Sequence, residues 1–265
     1  MDTQILITND DGIASPALKA LEIELRPLGR LTVVAPDREM SATIHSITLK
    51  RPLRFHQVAG NRFSVDGTPA DCVILAFLRI LETRPHLLVS GINRGKNGGD
   101  SVAYSGTLAA AFEGALQGIS GIAVSLESRE PMDFSPAAEF TAVLAHRVLE
   151  EGLPPGVVLN VNFPTAWNGR VLLTRQRQNE GRTVLVENLD PRGEQYFWLH
   201  EELHAHNDTP SEEYPGDYEA LQDGYPSVTP LQVDRTAVRF LKPLSNWTDI
   251  FDVSSTSGRQ DEKGS

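Results

Sequence analysis

The sequence predicts an α/β fold, a mostly parallel sheet with helices on both faces and an extended β arm added to it. Three observations predict it. Short apolar runs alternate with helix-periodic runs through the first half of the chain. Two of the helical runs open on a capping residue followed by proline, Ser15-Pro16 and Thr68-Pro69. Polar residues then gather just past the apolar runs, where an open parallel sheet keeps its ligand crevice.

The elements follow in order. Residues 5–8 form a short apolar strand, and Ser15-Pro16 starts a helix with Leu18, Leu21 and Leu25 at helical spacing. Residues 31–35 form the second strand, closed by Pro36-Asp37. Residues 46–50 and 62–65 read as extended pieces of a β excursion. Thr68-Pro69 opens a helix to about Leu81, and residues 86–90 form a buried strand. A glycine-rich loop spans 91–106, and a helix of small residues covers 107–116. Strand, helix and strand follow at 121–126, 136–151 and 157–162.

The second half reads differently. Residues 170–203 look like long extended segments around a turn at Asp190-Pro191-Arg192-Gly193. The aromatic run Tyr196-Phe197-Trp198 leaves two readings, a contact with another subunit or a hairpin packed on its own sheet. The acidic stretch 207–224 reads as loop and 225–230 as a returning strand. The expected division is a core over 1–169, an arm over 170–206, a return strand and C-terminal segment over 207–253, and a disordered tail over 254–265.

Composition narrows the function. Hydrophobic residues make up 40% of the 265, enough for a real core. A net charge of −11 argues against polymeric nucleic acid held on a broad basic face. Cys72 is the only cysteine, so no intramolecular disulfide forms. No apolar run is long enough to span a bilayer, and the start of the chain has no basic and apolar leader pattern. A cytoplasmic protein without membrane contact is expected.

The chemistry starts at Asn9-Asp10-Asp11-Gly12, directly after the first strand. Adjacent like charges disfavour each other, and a divalent cation makes the pair favourable. The loop from Asp37 through Ser41 to His45 and the loop from Ser90 through Asn93 and Asn97 leave two more strand ends. Asp, Asp, Ser and Asn form a hard oxygen set suited to Mg²⁺, Mn²⁺ or Ca²⁺. Tyr104-Ser105-Gly106-Thr107 precedes a helix, whose free N–H groups favour an anion. A metal beside a phosphate-sized pocket points to phosphate ester hydrolysis. His45 reads as a hydrogen-bonded loop residue, His204 and His206 as solvated surface, and Cys72 as core. No G-x-G-x-x-G follows the first strand and no G-x-x-x-x-G-K-[ST] occurs.

These residues resemble the SurE-type survival proteins, a family of 5′/3′-nucleotidases. The resemblance is carried by Thr8-Asn9-Asp10-Asp11-Gly12, Ala35-Pro36-Asp37-Arg38 through Ser41, and Gly67-Thr68-Pro69-Ala70-Asp71-Cys72. It continues in Ser90-Gly91-Ile92-Asn93-Arg94-Gly95, Tyr104-Ser105-Gly106-Thr107 with Glu113-Gly114, and Asn160-Val161-Asn162-Phe163-Pro164. Asp190-Pro191-Arg192-Gly193 and the stretch from Gly224 to Pro230 complete it, so the blocks run in family order from about 3 to 231. The resemblance implies a Rossmann-like core and a metal-dependent phosphatase for nucleoside monophosphates, some members also trimming short polyphosphate. It implies one divalent ion per subunit on Asp10, Asp11, Ser41 and Asn93. Asn9, Asn97, Ser105, Gly106 and Thr107 would line the phosphate pocket, with Asp10, Asp11 and Asn97 in catalytic roles. A homodimer or homotetramer formed through the arm and C-terminal segments is also implied. Met40, Lys96 and Leu108 depart from common family residues, and the region after Pro230 resembles the family poorly.

Other readings make different demands. A haloacid-dehalogenase-like phosphatase places its second Asp two residues after the first. A receiver-like phosphoacceptor or nucleotide-binding module needs a third acidic residue where Ser90-Gly91-Ile92-Asn93 stands. A nucleoside hydrolase would release ribose rather than phosphate.

Overall fold

The computed structural model describes residues 3–127, 132–167, 169–177, 182–202 and 213–247. Residues up to 233 belong to one compact unit, and those from 234 onward to a second. The first unit is built on a nine-stranded sheet. In chain order its elements are β1 (Gln4–Thr8), α1 (Pro16–Leu25), β2 (Arg30–Pro36), β3 (Phe55–Ala59), β4 (Arg62–Val65), α2 (Pro69–Leu75) and β5 (Leu87–Arg94). Then come α3 (Gly106–Leu116), β6 (Ser120–Leu126), α4 (Ser135–Glu151), β7 (Val157–Phe163), β8 (Leu172–Leu173), β9 (Arg182–Leu189), β10 (Gln195–Glu202), α5 (Asp217–Gln222) and β11 (Ser227–Gln232).

The strand order is β3-β4-β2-β1-β5-β6-β7-β11-β8. Six central strands, from β4 across to β7, are mutually parallel, as crossover helices require. The apolar runs explain their position. Leu6, Ile7, Leu87, Leu88 and Val89 are fully buried because both faces of the sheet are covered. One core lies against α1 and α4, where Leu18, Leu21 and Leu25 pack as their spacing predicts. The other lies against α2 and α3, and it contains Cys72. Burial pushes the Cys72 thiol well above its usual range, which leaves it an inert packing group.

The cap-then-proline signals mark real helix starts. At α2 the Thr68 hydroxyl accepts from the Asp71 N–H at 3.1 Å, and the Asp71 carboxylate accepts from the Thr68 N–H at 2.9 Å. Replacing such a cap with alanine costs about 1 kcal/mol. The reading to about Leu81 holds because a π-helical turn, Ala76–Ile80, extends α2.

Several expectations are corrected. Residues 46–50 form no strand. Ile47 and Leu49 stay exposed, and Thr48 is held by side-chain bonds to Asp71 instead of a ladder. The excursion's antiparallel pair is β3 with β4. The expected loop after Ser90 begins later, because β5 continues to Arg94 past an irregularity at Gly91. Gly91 is required there: a Cβ would sit 2.3 Å from the Val124 carbonyl oxygen. The acidic stretch 207–224 is not all loop, since it contains α5.

β11 returns antiparallel to β7 and pairs with β8, so the returning strand belongs to the main sheet. β9 and β10 form a separate two-stranded hairpin. Its turn is tied by the Asp190 carboxylate, which accepts from the N–H groups of Arg192 and Glu194. In the second unit a short 3₁₀ turn covers Val238–Phe240, with Phe240, Leu241, Leu244 and Trp247 exposed. His204, His206, residues 248–253 and the expected tail lie outside the described residues. Among the described residues no helix is long and apolar enough to cross a membrane.

Candidate active site at the carboxyl end of the sheet

β1, β2 and β5 end side by side, and the loops leaving them meet above Asp10 and Asp11. The first loop is braced from within. The Asn9 side chain donates to the Gly12 carbonyl at 3.1 Å and accepts from the Gly12 N–H at 3.2 Å. Asn9 is thus a fully buried strut. Gly12 has φ of 96°, and a Cβ there would meet the Arg38 backbone at 3.0 Å. The sharp turn and the close pass of the second loop both need glycine.

Asp10 is 4% exposed. Its carboxylate accepts from the Thr107 hydroxyl at 2.8 Å and from the Thr107 N–H, so it sits at the positive end of α3. Even so, burial pushes its pKa up to about 6, with the Asp11 charge adding to the rise. Asp11 is also pushed up, first by burial, against the favourable charge of Arg94. Asp11 Oδ2 is buried with no hydrogen-bond partner. A carboxylate oxygen without a partner beside a second strained carboxylate is the environment a cation would relieve. The donor set therefore fits a divalent ion. Among the described residues no three His, Cys, Asp or Glu side chains form a metal cluster, so further ligands would be neutral oxygens.

The other expected residues fall around this pair. The second loop is tied down by the Met40 N–H, which donates to the Asp10 carbonyl at 2.7 Å. Ser41 follows, exposed, with its hydroxyl donating to Glu39 at 2.9 Å rather than turned to the aspartates. The Asn93 amide donates to the Gly95 carbonyl at 2.7 Å, which fixes the side chain and leaves Oδ1 as the ligand-capable atom. Next to it, the Arg94 N–H donates to the Asp11 carboxylate.

Asn97 is the most heavily braced. Its side chain donates to Ser125 Oγ at 2.9 Å and to Thr107 Oγ1 at 3.4 Å. Its backbone is gripped by Asn162, which accepts from the N–H at 2.7 Å, and by Asn160, which donates to the carbonyl at 2.7 Å. Ser105 caps α3, accepting from the Leu108 N–H at 3.1 Å, which leaves its own O–H to donate. Gly106 lets α3 approach: a Cβ there would lie 3.0 Å from Asp10 Cβ and Oδ2.

Sequence reasoning gave no role to several supporting residues. Asn160 and Asn162 alternate on the otherwise apolar β7, a period-two signal that two polar groups share one face. Asp217, in the stretch read as loop, is fully buried and accepts from the N–H groups of Gly99, Arg177 and Tyr218. It anchors the far end of the glycine-rich loop, and nothing in its local pattern signals this. Lys96, one of the departures from common family residues, is engaged by neighbouring side chains. Its Nζ lies 3.7 Å from Glu127 and over the Tyr218 ring. His45 is a hydrogen-bonded loop residue as expected, with its ring 3.0 Å from Glu113. That contact holds the Glu113 carboxyl below its usual range.

Comparison with known proteins bears on this arrangement. Residues 5–183 match the family model described as survival protein SurE. The chain belongs to the SurE family. Its SurE relatives are similar over almost their whole length. A Thermus thermophilus protein named 5′-nucleotidase SurE 1 is 48% identical over 249 residues, spanning 91% of this chain and 96% of the relative. A Geotalea daltonii protein named 5′-nucleotidase SurE is 44% identical over 253 residues, 94% of this chain and all of the relative. The crystal structure of the SurE protein from Aquifex aeolicus superposes with a TM-score of 0.81 at 38% identity, covering 93% and 99% of the two chains. That SurE structure carries the same α/β architecture.

Proposed function

We propose that this chain is a divalent-metal-dependent 5′-nucleotidase, hydrolysing nucleoside 5′-monophosphates to nucleoside and phosphate. The observation that carries the reading is the buried Asp10–Asp11 pair, with an unpartnered Asp11 oxygen, beside the N-terminus of α3. Relatives named 5′-nucleotidase at 43–48% identity over most of the chain support the substrate class. We extend the reading to 3′-monophosphates and short polyphosphate as further substrates of the same pocket.

Asp10, Asp11, Ser41 and Asn93 would hold one Mg²⁺ or Mn²⁺ ion; Ca²⁺ suits the same oxygens. When bound, the ion would supply Lewis-acid polarisation of a phosphoryl oxygen and acidify a water. The chain's own groups do the rest. The Gly106 N–H and the Ser105 hydroxyl receive the phosphoryl oxygens, and Thr107, whose hydroxyl and N–H both donate to Asp10, lines the pocket by holding that carboxylate. Asn97, fixed by β6 and β7, would exchange its 3.4 Å bond to Thr107 for a bond to the charge that develops on those oxygens. Asn9 holds the Asp10–Gly12 turn in shape. The carboxylate of Asp10 or Asp11 takes the proton of the attacking water.

Ser41 must give up its bond to Glu39 to serve as a ligand. We further propose that the chain assembles as a homodimer or homotetramer, with the β9–β10 hairpin and the segment after 233 supplying contacts.

The experiment is phosphate release from nucleoside 5′- and 3′-monophosphates, in EDTA and then with added Mn²⁺ or Mg²⁺. The expected result is no release in EDTA and restored release with metal. Release of ribose, or no release from folded protein with any metal, would overturn the reading.

A further inference from the structure

A cavity of about 470 Å³ opens at the other end of the sheet. It is bounded by the end of α1, the start of β2 and the turn between β3 and β4. Gly29, Arg30 and Leu31 at the amino end of β2 line it, whereas the aspartate pair follows the carboxyl end of β1.

Three arginines, Arg26, Arg30 and Arg62, line it, against one acidic residue, Glu22. Arg62 is fixed in place: it pairs with Glu22, and its Nη2 donates to the Ile13 carbonyl at 2.8 Å. That pairing neutralises one positive charge. Arg26 and Arg30 are exposed, and no ion pair reaches either among the described residues. The cavity thus keeps two net positive charges on a chain whose overall charge is −11. The last carbonyls of α1 weigh against an anion, and Arg26 at that helix end offsets them.

Two glycines shape the space. A Cβ on Gly29 would lie 2.4 Å from the Thr3 carbonyl oxygen, so the chain passes too close for any side chain. Gly60, at φ of 49° in the β3–β4 turn, leaves its side of the rim open, with nothing within 4 Å of a Cβ. Leu31, Val33 and Ala59 give the cavity an apolar wall.

We propose that this cavity is a second ligand site, separate from the hydrolytic one, which takes a small molecule bearing a phosphoryl group. A phosphoryl group carries close to two negative charges and three terminal oxygens, which matches two net positive charges presented by planar guanidinium forks. The volume lies within the range of small-molecule pockets, so an organic body fits against the apolar wall. The inference does not rest on the nucleotidase reading.

The test uses the full-length chain, labelled with ¹⁵N and ²H and kept in EDTA so that no hydrolysis occurs. Pyrophosphate is titrated in while backbone amide resonances are followed, with citrate at matched ionic strength as the carboxylate arm. The expected result is a saturable shift of the Arg30, Leu31, Gly60 and Asn61 amides with a midpoint near or below about 1 mM. The double variant Arg26→Gln/Arg30→Gln should raise that midpoint about tenfold or more, the loss of two charge-assisted contacts. Shifts at residues 10–12 and 105–107 should keep their midpoint, and the spectrum itself reports that the variant is folded. Cavity amides that do not move, or that keep their midpoint in the double variant, would overturn the proposal. An equal response to citrate would overturn the phosphoryl assignment.

Discussion

Two regions of this chain reverse the usual distribution of polar and apolar groups, in opposite senses. At the carboxyl end of the sheet Asn9, Asp10, Thr107, Asn160 and Asn162 are buried. On the β9–β10 hairpin Phe197, Trp198 and Leu199 are more than half exposed, and Leu185 and Leu189 with them. Buried polar groups are tolerated when each finds a partner, and here most do, apart from atoms such as Asp11 Oδ2. Exposed apolar groups are tolerated singly, but here they occupy both faces of one two-stranded ribbon. The proposed function assigns them different complements: a cation for one, an apolar surface of another subunit for the other.

The largest effect that would sharpen this contrast is at Asp10. Asp10→Asn keeps size and the Thr107 contact but removes the charge, so kcat should fall by about 10³-fold or more with an unchanged fold. Full activity in this variant, measured by phosphate release alongside circular dichroism, would break the account of the site. Gly106→Ala comes next. Its methyl would press on Asp10 from 3.0 Å, and a displacement well under an ångström should cost about 10- to 100-fold in kcat with little loss of stability.

The third prediction concerns pH. Without metal, the folded protein holds the Asp10 proton up to about pH 6, against 3.8 in the unfolded chain. The folded state binds more protons in that window, so stability falls as pH rises from about 4 to about 6. The drop from this group is about 3 kcal/mol. Comparing the Tm of metal-free protein with that of Asp10→Asn across this range isolates it. Added Mn²⁺ favours the ionised carboxylates, so its gain in Tm should be larger at pH 7 than at pH 5. The reverse order would count against a cation on this pair. The smallest effect on catalysis should come from the arm. Phe197→Ser with Trp198→Ser should leave turnover per chain unchanged while sedimentation velocity shows smaller species. An unaltered distribution would remove the arm from the assembly.

The same contrast governs what could be read from sequence. The core strands and helices were legible because burial imposes a strict period on apolar residues, as at Leu18, Leu21 and Leu25. The three loops of the site were legible because an open parallel sheet gathers its strand ends. What was not legible depended on contacts distant in sequence. Residues 46–50 alternate like a strand, yet Asp71 holds Thr48 out of any ladder. Glycines at 91 and 95 suggested a loop, although Gly91 is there for the close pass of Val124. Asp217 lies 118 residues from the Gly99 N–H that it accepts, a separation no local pattern encodes.

The loop carrying Ser41 has one more property. Ala42 and Ile44 both adopt left-handed backbone, at φ of 57° and 56°, which is costly for alanine and more so for a β-branched residue. The loop is clasped at its far end: His45 to Glu113, the Ser46 carbonyl to the Thr68 hydroxyl, and Thr48 to Asp71. A segment wound against its preference is kept in that form by these bonds. Its amides between 41 and 48 should exchange with solvent together, on one clock.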